Sequence, residues 1–238
     1  MLKELESEGF CILNDVFTPA EVLELKKKFK ICEDHVHKTC KNNPLDPYDY
    51  IQLFDKESIV KMQSYCDESI IETAKGRYDV RTQIVADEFK DVPNNPTIAK
   101  LMKSCLERRY LCDIGILMTN SHSNDGPWHR DTYNLNGPSN PDGSYDDSLV
   151  MKLKPFYYTM LIALDDITED NGRTEFIVGS HHLTYKEAMG NHRVKHDVKA
   201  GSVVVFDGRM FHRACAHPSD EPRQMIYLVF HRNWYVDV

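Results

Sequence analysis

The sequence predicts a mainly β protein with flanking α-helices, in the form of an antiparallel barrel or jelly roll buttressed by N-terminal helices. Residues 1–109 carry helix signals, whereas residues 110–234 contain β-branched and aromatic runs bounded by Gly, Pro, Asn and Asp. Helices followed by strands favour an antiparallel sheet over alternating parallel units. The chain has 238 residues, 41% of them hydrophobic, so we expect one domain over residues 1–238.

The N-terminal segment predicts a short strand followed by a long helix. Residues 9–15, "GFCILND", are strand-like. Thr18 and Glu21 then form a capping box around Pro19, which favours the first helical position. Apolar residues recur every three or four positions, at Val22, Leu25, Phe29, Cys32 and Val36. This spacing predicts a helix that buries one face.

Three further segments complete the helix-rich part. Residues 95–109 begin with Asn95 and Pro96, a cap and a first-turn residue, and predict a second clear helix. Residues 56–76 have a weaker helical pattern. Residues 80–85, "VRTQIV", are strand-like.

Five runs in the second half are typical of strands. They are residues 110–120, 155–166, 173–180, 201–208 and 224–234. The stretch 132–154 is polar and rich in turn residues, and it is much longer than an ordinary connection. We therefore predict that it is a functional loop, either a lid or a substrate loop.

Composition excludes several classes of protein. The formal net charge of −8 argues against general nucleic-acid binding, because phosphates would not be neutralised. No stretch approaches the roughly 18 apolar residues of a membrane helix, and the start is too polar for a secretory signal. The seven cysteines contain no C-x-x-C pair. We expect reduced thiols in a cytoplasmic protein without a membrane or nucleic-acid partner; the oligomeric state stays open.

The stretch "WHRDTYNLN", residues 128–136, fits two chemistries. Its letters match the H-R-D-x-x-x-x-N string of a protein-kinase catalytic loop. A kinase also needs a Gly-rich phosphate loop and a D-F-G metal motif, and the sequence contains neither. Without them nothing would hold the nucleotide, so the kinase match is attributed to chance.

The second interpretation is a mononuclear iron site. His129 and Asp131 are two positions apart, so on a strand end they point to the same side. They supply two ligands of a two-histidine, one-carboxylate site. His212 follows a buried strand and a glycine turn, and is the candidate third ligand. Arg223 lies eleven positions later and could form a bidentate pair with a carboxylate.

These residues belong to longer segments that resemble one enzyme family. The segments are 2–29, 128–131, 164–182 and 200–230. They are similar to the phytanoyl-CoA dioxygenase (PhyH) family of Fe(II)- and 2-oxoglutarate-dependent oxygenases. The resemblance covers most of the chain and is weakest over 40–95 and 132–154.

The resemblance implies a double-stranded β-helix, the cupin-like form of the jelly roll, and a set of site residues. His129, Asp131 and His212 would be the catalytic iron ligands. Arg223 would bind the distal carboxylate of 2-oxoglutarate, and Thr159 would place a hydroxyl beside that carboxylate. The implied cofactors are Fe(II), 2-oxoglutarate and O2.

The implied function is hydroxylation of an unactivated C–H bond of a small polar molecule, with release of succinate and CO2. The same cofactors also support desaturation, epoxidation or cyclisation in a biosynthetic pathway. A further alternative is a non-catalytic jelly-roll binding module, which we would expect to lack a ligand or the arginine. Candidate substrate-binding residues are Trp128, Tyr133, Arg81 and Gln83.

Overall fold

The structure is a computed structural model. It describes residues 1–42, 47–51, 59–65, 70–74, 76–107, 109–120, 122–132 and 147–235. Tyr133 and most of the predicted loop 132–154 lie outside the described residues. No prediction about them is tested.

The N-terminal part contains both helices and strands, and strands dominate the rest. The helices are α1 Leu2–Ser7, α2 Pro19–Asn42, α3 Thr82–Phe89, α4 Pro96–Leu106, α5 Ser148–Lys152 and α6 Tyr185–Met189. The strands are β1 Phe10–Leu13, β2 Pro47–Ile51, β3 Ile59–Tyr65, β4 Ile70–Ala74, β5 Arg77–Val80, β6 Tyr110–Thr119, β7 Tyr157–Ala163, β8 Thr174–Ile177, β9 Arg193–Lys195, β10 Val203–Asp207, β11 His212–Ala214 and β12 Arg223–Arg232.

Two antiparallel sheets face each other. The larger has the order β1-β10-β7-β12-β6-β5-β4-β3-β2, and the smaller has the order β11-β8-β9. The segment 123–131 runs beside the smaller sheet through bridges from Ser123 to His217 and from His129 to His212. Two facing antiparallel sheets confirm the predicted jelly-roll class.

The large sheet buries both of its faces. Alternate residues of β12 point to opposite sides. Ile226, Leu228 and Phe230 join the apolar cluster that contains the buried faces of α2 and α4. On the other side, Met225 packs with Phe206 and with residues of the small sheet. We call this second face, which looks towards the small sheet, the interior wall.

The predicted helix signals around α2 and α4 are confirmed. The backbone N–H of Thr18 donates to Glu21 Oε2 at 2.7 Å, which completes the capping box. The side chain of Asn95 accepts from the N–H of Thr97 at 3.0 Å at the start of α4. The apolar stripe of α2 is buried at every predicted position, Val22, Leu25, Phe29, Cys32 and Val36.

Two predictions in the N-terminal part are wrong. Residues 56–76, predicted to be helical, contain strands β3 and β4. Residues 80–85, predicted to be strand-like, contain the end of β5 and the first residues of α3. Antiparallel pairing carries the large sheet outwards from β6 through β5, β4 and β3. Pairing with a formed sheet overrides a weak local preference.

The remaining sequence expectations concern thiols and membranes. Five cysteines are described as free thiols: Cys11, Cys32, Cys105, Cys112 and Cys215. Reduced cysteines stay an expectation for the chain. Within the described part of the chain, no helix combines the length and apolar character needed to cross a membrane.

Candidate active site

Three side chains with metal-binding atoms meet where the segment 123–131 runs beside β11. His129 Nε2 lies 3.8 Å from Asp131 Oδ1, and His212 Nε2 lies 3.5 Å from the same oxygen. The three ligand atoms all lie within 4.8 Å of one another. Two imidazoles and one carboxylate are the donor set of a facial-triad iron site. Among the described residues, no other group of three His, Cys, Asp or Glu side chains converges in this way.

Backbone carbonyl groups orient both imidazole rings. Nδ1 of His129 lies 3.0 Å from the carbonyl oxygen of Pro127, and Nδ1 of His212 lies 3.1 Å from that of Met210. A carbonyl oxygen only accepts, so each Nδ1 carries the proton and donates it. Each Nε2 is left with a lone pair on the side of Asp131. Both rings are therefore held in the tautomer that can bind a metal.

Thr159 on β7 orients the carboxylate ligand. Its Oγ1 donates to Asp131 Oδ2 at 2.5 Å, which leaves Oδ1 facing both imidazoles. The backbone N–H of Asp131 donates to the carbonyl of Gly208 at 2.9 Å. The side chain and the backbone of Asp131 are thus both held by hydrogen bonds within the protein.

Strand pairing explains why the two histidines face the same side. The N–H of each donates to the carbonyl of the other at 3.0 Å, so His129 and His212 are directly opposed in an antiparallel pair. The turn before His212 passes close to Tyr157. A Cβ on Gly208 would lie 2.2 Å from that ring, so only glycine fits this turn.

Arg130, between two predicted ligands, is buried and joins the segments that carry the candidate ligands to Asp147, near the end of the predicted loop 132–154, and to Leu183. Its Nη1 donates to Asp147 Oδ2 at 2.9 Å, and its Nη2 donates to the carbonyl of Leu183 at 2.5 Å. Its guanidinium lies 4.0 Å from the ring centre of Phe211, the residue before His212. Burial lowers the pKa of Arg130 to about 10 against the opposing effect of Asp147.

A second buried arginine fixes the other end of the same segment. Arg209 donates from Nε to Asp207 Oδ1 at 2.8 Å and from Nη2 to Asp207 Oδ2 at 2.6 Å. Its Nη1 donates to the carbonyl of Leu153 at 2.6 Å. Residues 147–153, which contain α5, are therefore held at both ends by arginines that neighbour the ligands in sequence.

Arg77 and Arg223 lie on either side of Thr119 on the interior wall. Thr119 pairs with Arg223 of β12 and with Arg77 of β5. Nη2 of Arg223 donates to the Thr119 hydroxyl at 3.2 Å. Nη2 of Arg77 donates to Ser123 Oγ and to the carbonyl of Asn124, both at 2.9 Å. Strands β12, β6 and β5 thus bring two guanidinium groups and one hydroxyl close together on the interior wall.

These two guanidinium groups are buried and incompletely satisfied. Arg223 is 2% exposed and Arg77 is 8% exposed. Nε and Nη1 of Arg223 and Nε of Arg77 have no hydrogen-bond partner among the described residues. Burial, and then the charge of Arg77, lower the pKa of Arg223 to about 10; burial also lowers the pKa of Arg77. Buried guanidinium groups with unfilled N–H groups are the kind of partner that a carboxylate can pair with.

The position predicted for Thr159 needs correction. The family resemblance implied that its hydroxyl lies beside the carboxylate partner of Arg223, whereas in the structure the hydroxyl donates a hydrogen bond to Asp131. The hydroxyl beside Arg223 belongs to Thr119. Thr159 pairs with Val229, six residues along β12 from Arg223. The sequence does not give strand register, so it could not distinguish the two threonines.

The predicted substrate residues that the structure describes differ in burial. Trp128 is half-buried beside His129, between the guanidinium groups of Arg193 and Arg213 at 5.1 and 4.9 Å from its ring centre. Arg81 is half-buried at the start of α3, whereas Gln83 is exposed on that helix. Substrate contact by Trp128, Arg81 and Gln83 stays a prediction.

Two buried histidines are expected to make the metal-free protein sensitive to acid. Burial lowers the pKa of His181 to about 4, and burial followed by the neighbouring His129 lowers that of His212 to about 4, from 6.5. Between these values the unfolded chain binds protons that the folded protein does not. The free energy of unfolding should be constant above pH 6.5 and fall as the pH decreases towards 4. Urea midpoints at several pH values measure this slope.

His181→Gln and His182→Gln form a matched pair for this prediction. His181 is 1% exposed, whereas its neighbour His182 is exposed. The His181→Gln variant should lose up to one proton from the acid-dependent slope, and His182→Gln should keep most of it, because burial and not the charge of His182 is the main cause of the lowered pKa of His181. An unchanged slope in His181→Gln would contradict the assignment.

Two comparisons with known proteins bear on this site. A sequence model of the family described as phytanoyl-CoA dioxygenase (PhyH) matches residues 5–225. That match includes the three triad residues and Arg223.

Solved structures of similar fold cover almost the whole chain. One is the non-heme alpha ketoglutarate dependent epimerase SnoN from nogalamycin biosynthesis, with 17% identity, 97% of this chain and 80% of that chain covered, and a TM-score of 0.67. Another is EctD from S. alaskensis with bound Fe, with 16% identity, 97% and 75% coverage, and a TM-score of 0.65. EvdO2 from Micromonospora carbonacea var. aurantiaca, complexed with 2-oxoglutarate, has 15% identity, 97% and 89% coverage, and a TM-score of 0.60. At these identities the likeness is one of fold.

Proposed function

Because the chain belongs to the phytanoyl-CoA dioxygenase family of non-haem iron oxygenases that use 2-oxoglutarate, we propose that it hydroxylates an unactivated C–H bond of a small polar molecule. Succinate and CO2 would be the co-products. The observation that best supports this is a preorganised triad, His129, Asp131 and His212, on the same barrel as the unsatisfied arginines Arg77 and Arg223.

The donor atoms of the triad suit an iron ion. His129 and His212 would bind through Nε2, since Nδ1 of each is occupied by a backbone carbonyl. Asp131 would bind through Oδ1, since Thr159 holds Oδ2. Three protein ligands leave other coordination positions open for 2-oxoglutarate and O2. The metal would be positioned by groups that are already in place.

The arginine pair fits the distal carboxylate of 2-oxoglutarate. Arg223 offers two unfilled N–H groups, and Thr119 adds a hydroxyl beside them. Arg77 adds a second positive charge on the neighbouring strand. Burial strengthens these interactions, because water does not screen them. Thr119 and Arg77 therefore extend the predicted cosubstrate-binding set.

Bound Fe(II) and 2-oxoglutarate together activate O2 for oxidation of a C–H bond, and the chain's contribution is positioning and exclusion of water. Thr159 keeps one oxygen of Asp131 turned towards the imidazoles. Arg130 ties the segment that carries His129 and Asp131 to Asp147, near the end of the predicted loop. Apolar side chains of the interior wall, including Met225, limit water in the barrel.

Anaerobic titration with Fe(II) and 2-oxoglutarate tests the cofactor assignment. A weak visible charge-transfer band should appear only when both are present. Succinate release in air, measured across a panel of small polar molecules, should then rise with the true substrate, and the product should gain one oxygen atom. A loaded enzyme whose product lacks the added oxygen would exclude hydroxylation while leaving the cofactors assigned.

Arg223→Met should weaken 2-oxoglutarate binding without removing the metal. The variant loses a buried, charge-assisted pair, so we expect the Kd for 2-oxoglutarate to rise about 100-fold. Arg223→Lys should recover only part of the affinity, because an ammonium lacks the planar fork of the guanidinium. Fe(II) affinity, measured separately, should stay within about twofold of wild type, since Arg223 is not one of the proposed metal ligands.

Arg109→Met serves as the matched control, because it removes an exposed arginine. Its Kd for 2-oxoglutarate should equal that of wild type. A wild-type Kd in Arg223→Met would exclude Arg223 from the cosubstrate site.

A further inference from the structure

Asp79 on β5 places a carboxylate on the interior wall that neither the triad nor the arginine pair uses. Asp79 pairs with Leu117 of β6, and Leu117 pairs with Met225 of β12. Met225 and Leu117 belong to the cluster between the two sheets. Directly paired residues of neighbouring strands share a face, so Asp79 also faces the barrel interior.

Tyr227 reaches Asp79 across a glycine. Tyr227 of β12 pairs with Gly115 of β6, and a Cβ on Gly115 would lie 2.1 Å from Cζ of the tyrosine ring. The ring therefore lies flat over the space that a side chain at position 115 would fill. From there the Tyr227 hydroxyl lies close to the Asp79 carboxylate, and its interaction opposes the rise in the pKa of Asp79. A phenol can donate and a carboxylate accepts, so Tyr227 offers Asp79 one donor.

The carboxylate keeps unused accepting capacity. Oδ1 of Asp79 is buried and has no hydrogen-bond partner among the described residues. Burial raises the pKa of Asp79, and the positive charge of Arg81 partly opposes that shift. A buried acceptor left without a donor is costly, and more so when it is charged. Since the chain places such an oxygen on the barrel wall, a donor from a ligand would relieve that cost.

Asp79 also lies within electrostatic range of the triad. The charge of Asp131 contributes to the raised pKa of Asp79. Asp131 accepts a hydrogen bond from Thr159, which lies on β7, whereas Asp79 lies on β5. The sheet order β7-β12-β6-β5 puts β12 and β6 between them. A molecule that contacts Asp79 and reacts at the triad would therefore have to reach across these two strands.

We propose that Oδ1 of Asp79 accepts a hydrogen bond from a hydroxyl or amino group of the substrate. The substrate class is then a small molecule with a donor group set apart from the carbon that reacts. An apolar molecule would bury Oδ1 without a partner and would be rejected. The inference rests on the proposed function, because Asp79 selects a substrate only if the barrel is the site of reaction.

Binding of three probes with the same ring tests this assignment. Cyclohexanol and cyclohexylamine carry a donor, whereas methoxycyclohexane carries none. Each is titrated into the metal-free protein and into the enzyme loaded anaerobically with Fe(II) and 2-oxoglutarate, and the Kd is measured by ligand-observed NMR. Both donor probes should bind about 10- to 100-fold more tightly than the ether, because the ether would leave the buried oxygen of Asp79 without a donor. The ratio between alcohol and amine identifies which donor is preferred.

Three variants separate Asp79 from its surroundings. Asp79→Leu should bind all three probes with similar Kd values. Asp79→Asn should still bind the alcohol more tightly than the ether, but its preference for the amine over the ether should be smaller. Tyr227→Phe leaves Oδ1 in place and should retain the preference for both. Melting temperature and the charge-transfer band establish that each variant is folded and loaded.

Equal binding of the three probes to wild type, no binding of any, or a preference that survives in Asp79→Leu would overturn the proposal. Failure of the proposed function has a different signature. It would appear as a missing charge-transfer band in the wild-type enzyme, while the probe titration of the metal-free protein still reports on Asp79.

Discussion

Replacing Asp131 with alanine is expected to abolish both the Fe(II)–2-oxoglutarate charge-transfer band and substrate-dependent succinate release. The change removes the single anionic group among the three converging side chains, so two neutral imidazoles would have to hold the ion. Loss of groups that merely orient a ligand costs about 10- to 100-fold in metal affinity or activity. Loss of the ligand itself should exceed about 100-fold. Anaerobic Fe(II) titration and succinate assays measure the two effects.

Asp197→Ala is the matched control for this prediction. Asp197 also pairs with a cation, Arg173, but its side chain is 62% exposed and lies outside the triad. This variant should keep the band, the metal affinity and the activity of wild type. A wild-type band in Asp131→Ala would refute the assignment of Asp131 as a ligand.

Replacing Arg130 with methionine is expected to be the most destabilising change near the site. It leaves the buried carboxylate of Asp147 without its cation and removes the donor to Leu183. Breaking a buried pair by removing one partner costs about 3–5 kcal/mol in free energy of unfolding. For a chain of this length that corresponds to a fall in Tm of about 6–20 °C. Iron affinity should also fall, since Arg130 lies between two ligands and stacks on Phe211.

Two further variants make this prediction specific. Lys199→Met breaks an ion pair with Asp166 in which the lysine side chain is 76% exposed, and it should cost less than about 1 kcal/mol. The double variant Arg130→Met with Asp147→Leu removes both charges and should recover part of the lost stability. If Arg130→Met melted at the wild-type temperature, the pair would not stabilise the fold.

Local patterns were sufficient for the helices that bury one regular face. The stripe of α2 from Val22 to Val36 and the Asn95 cap of α4 depend on neighbours in sequence, so they could be predicted from it. The strands β3 and β4 could not, because their stability comes from pairing outwards from β6. A weak periodic pattern does not reveal whether a sheet edge is available.

The candidate site divides in the same way. The two-residue spacing of His129 and Asp131 and the turn before His212 are local, and together with the family resemblance they predicted the converging triad. No local sequence pattern predicted that Arg77 would supply the second guanidinium group beside Arg223. Its relation to Arg223 exists only because both strands pair with Thr119.

By itself the sequence indicated the fold class, the family resemblance and, through that resemblance, the triad of His129, Asp131 and His212, because each depends on residue types and short motifs along the chain. Tertiary structure alone decided which threonine hydrogen-bonds which group: Thr159 donates to Asp131, and Thr119 accepts from Arg223. It also decided that Asp79 faces the barrel. The physical reason is strand register: a shift of one residue turns a side chain to the opposite face of the sheet, and register is set by pairing between segments far apart in the chain.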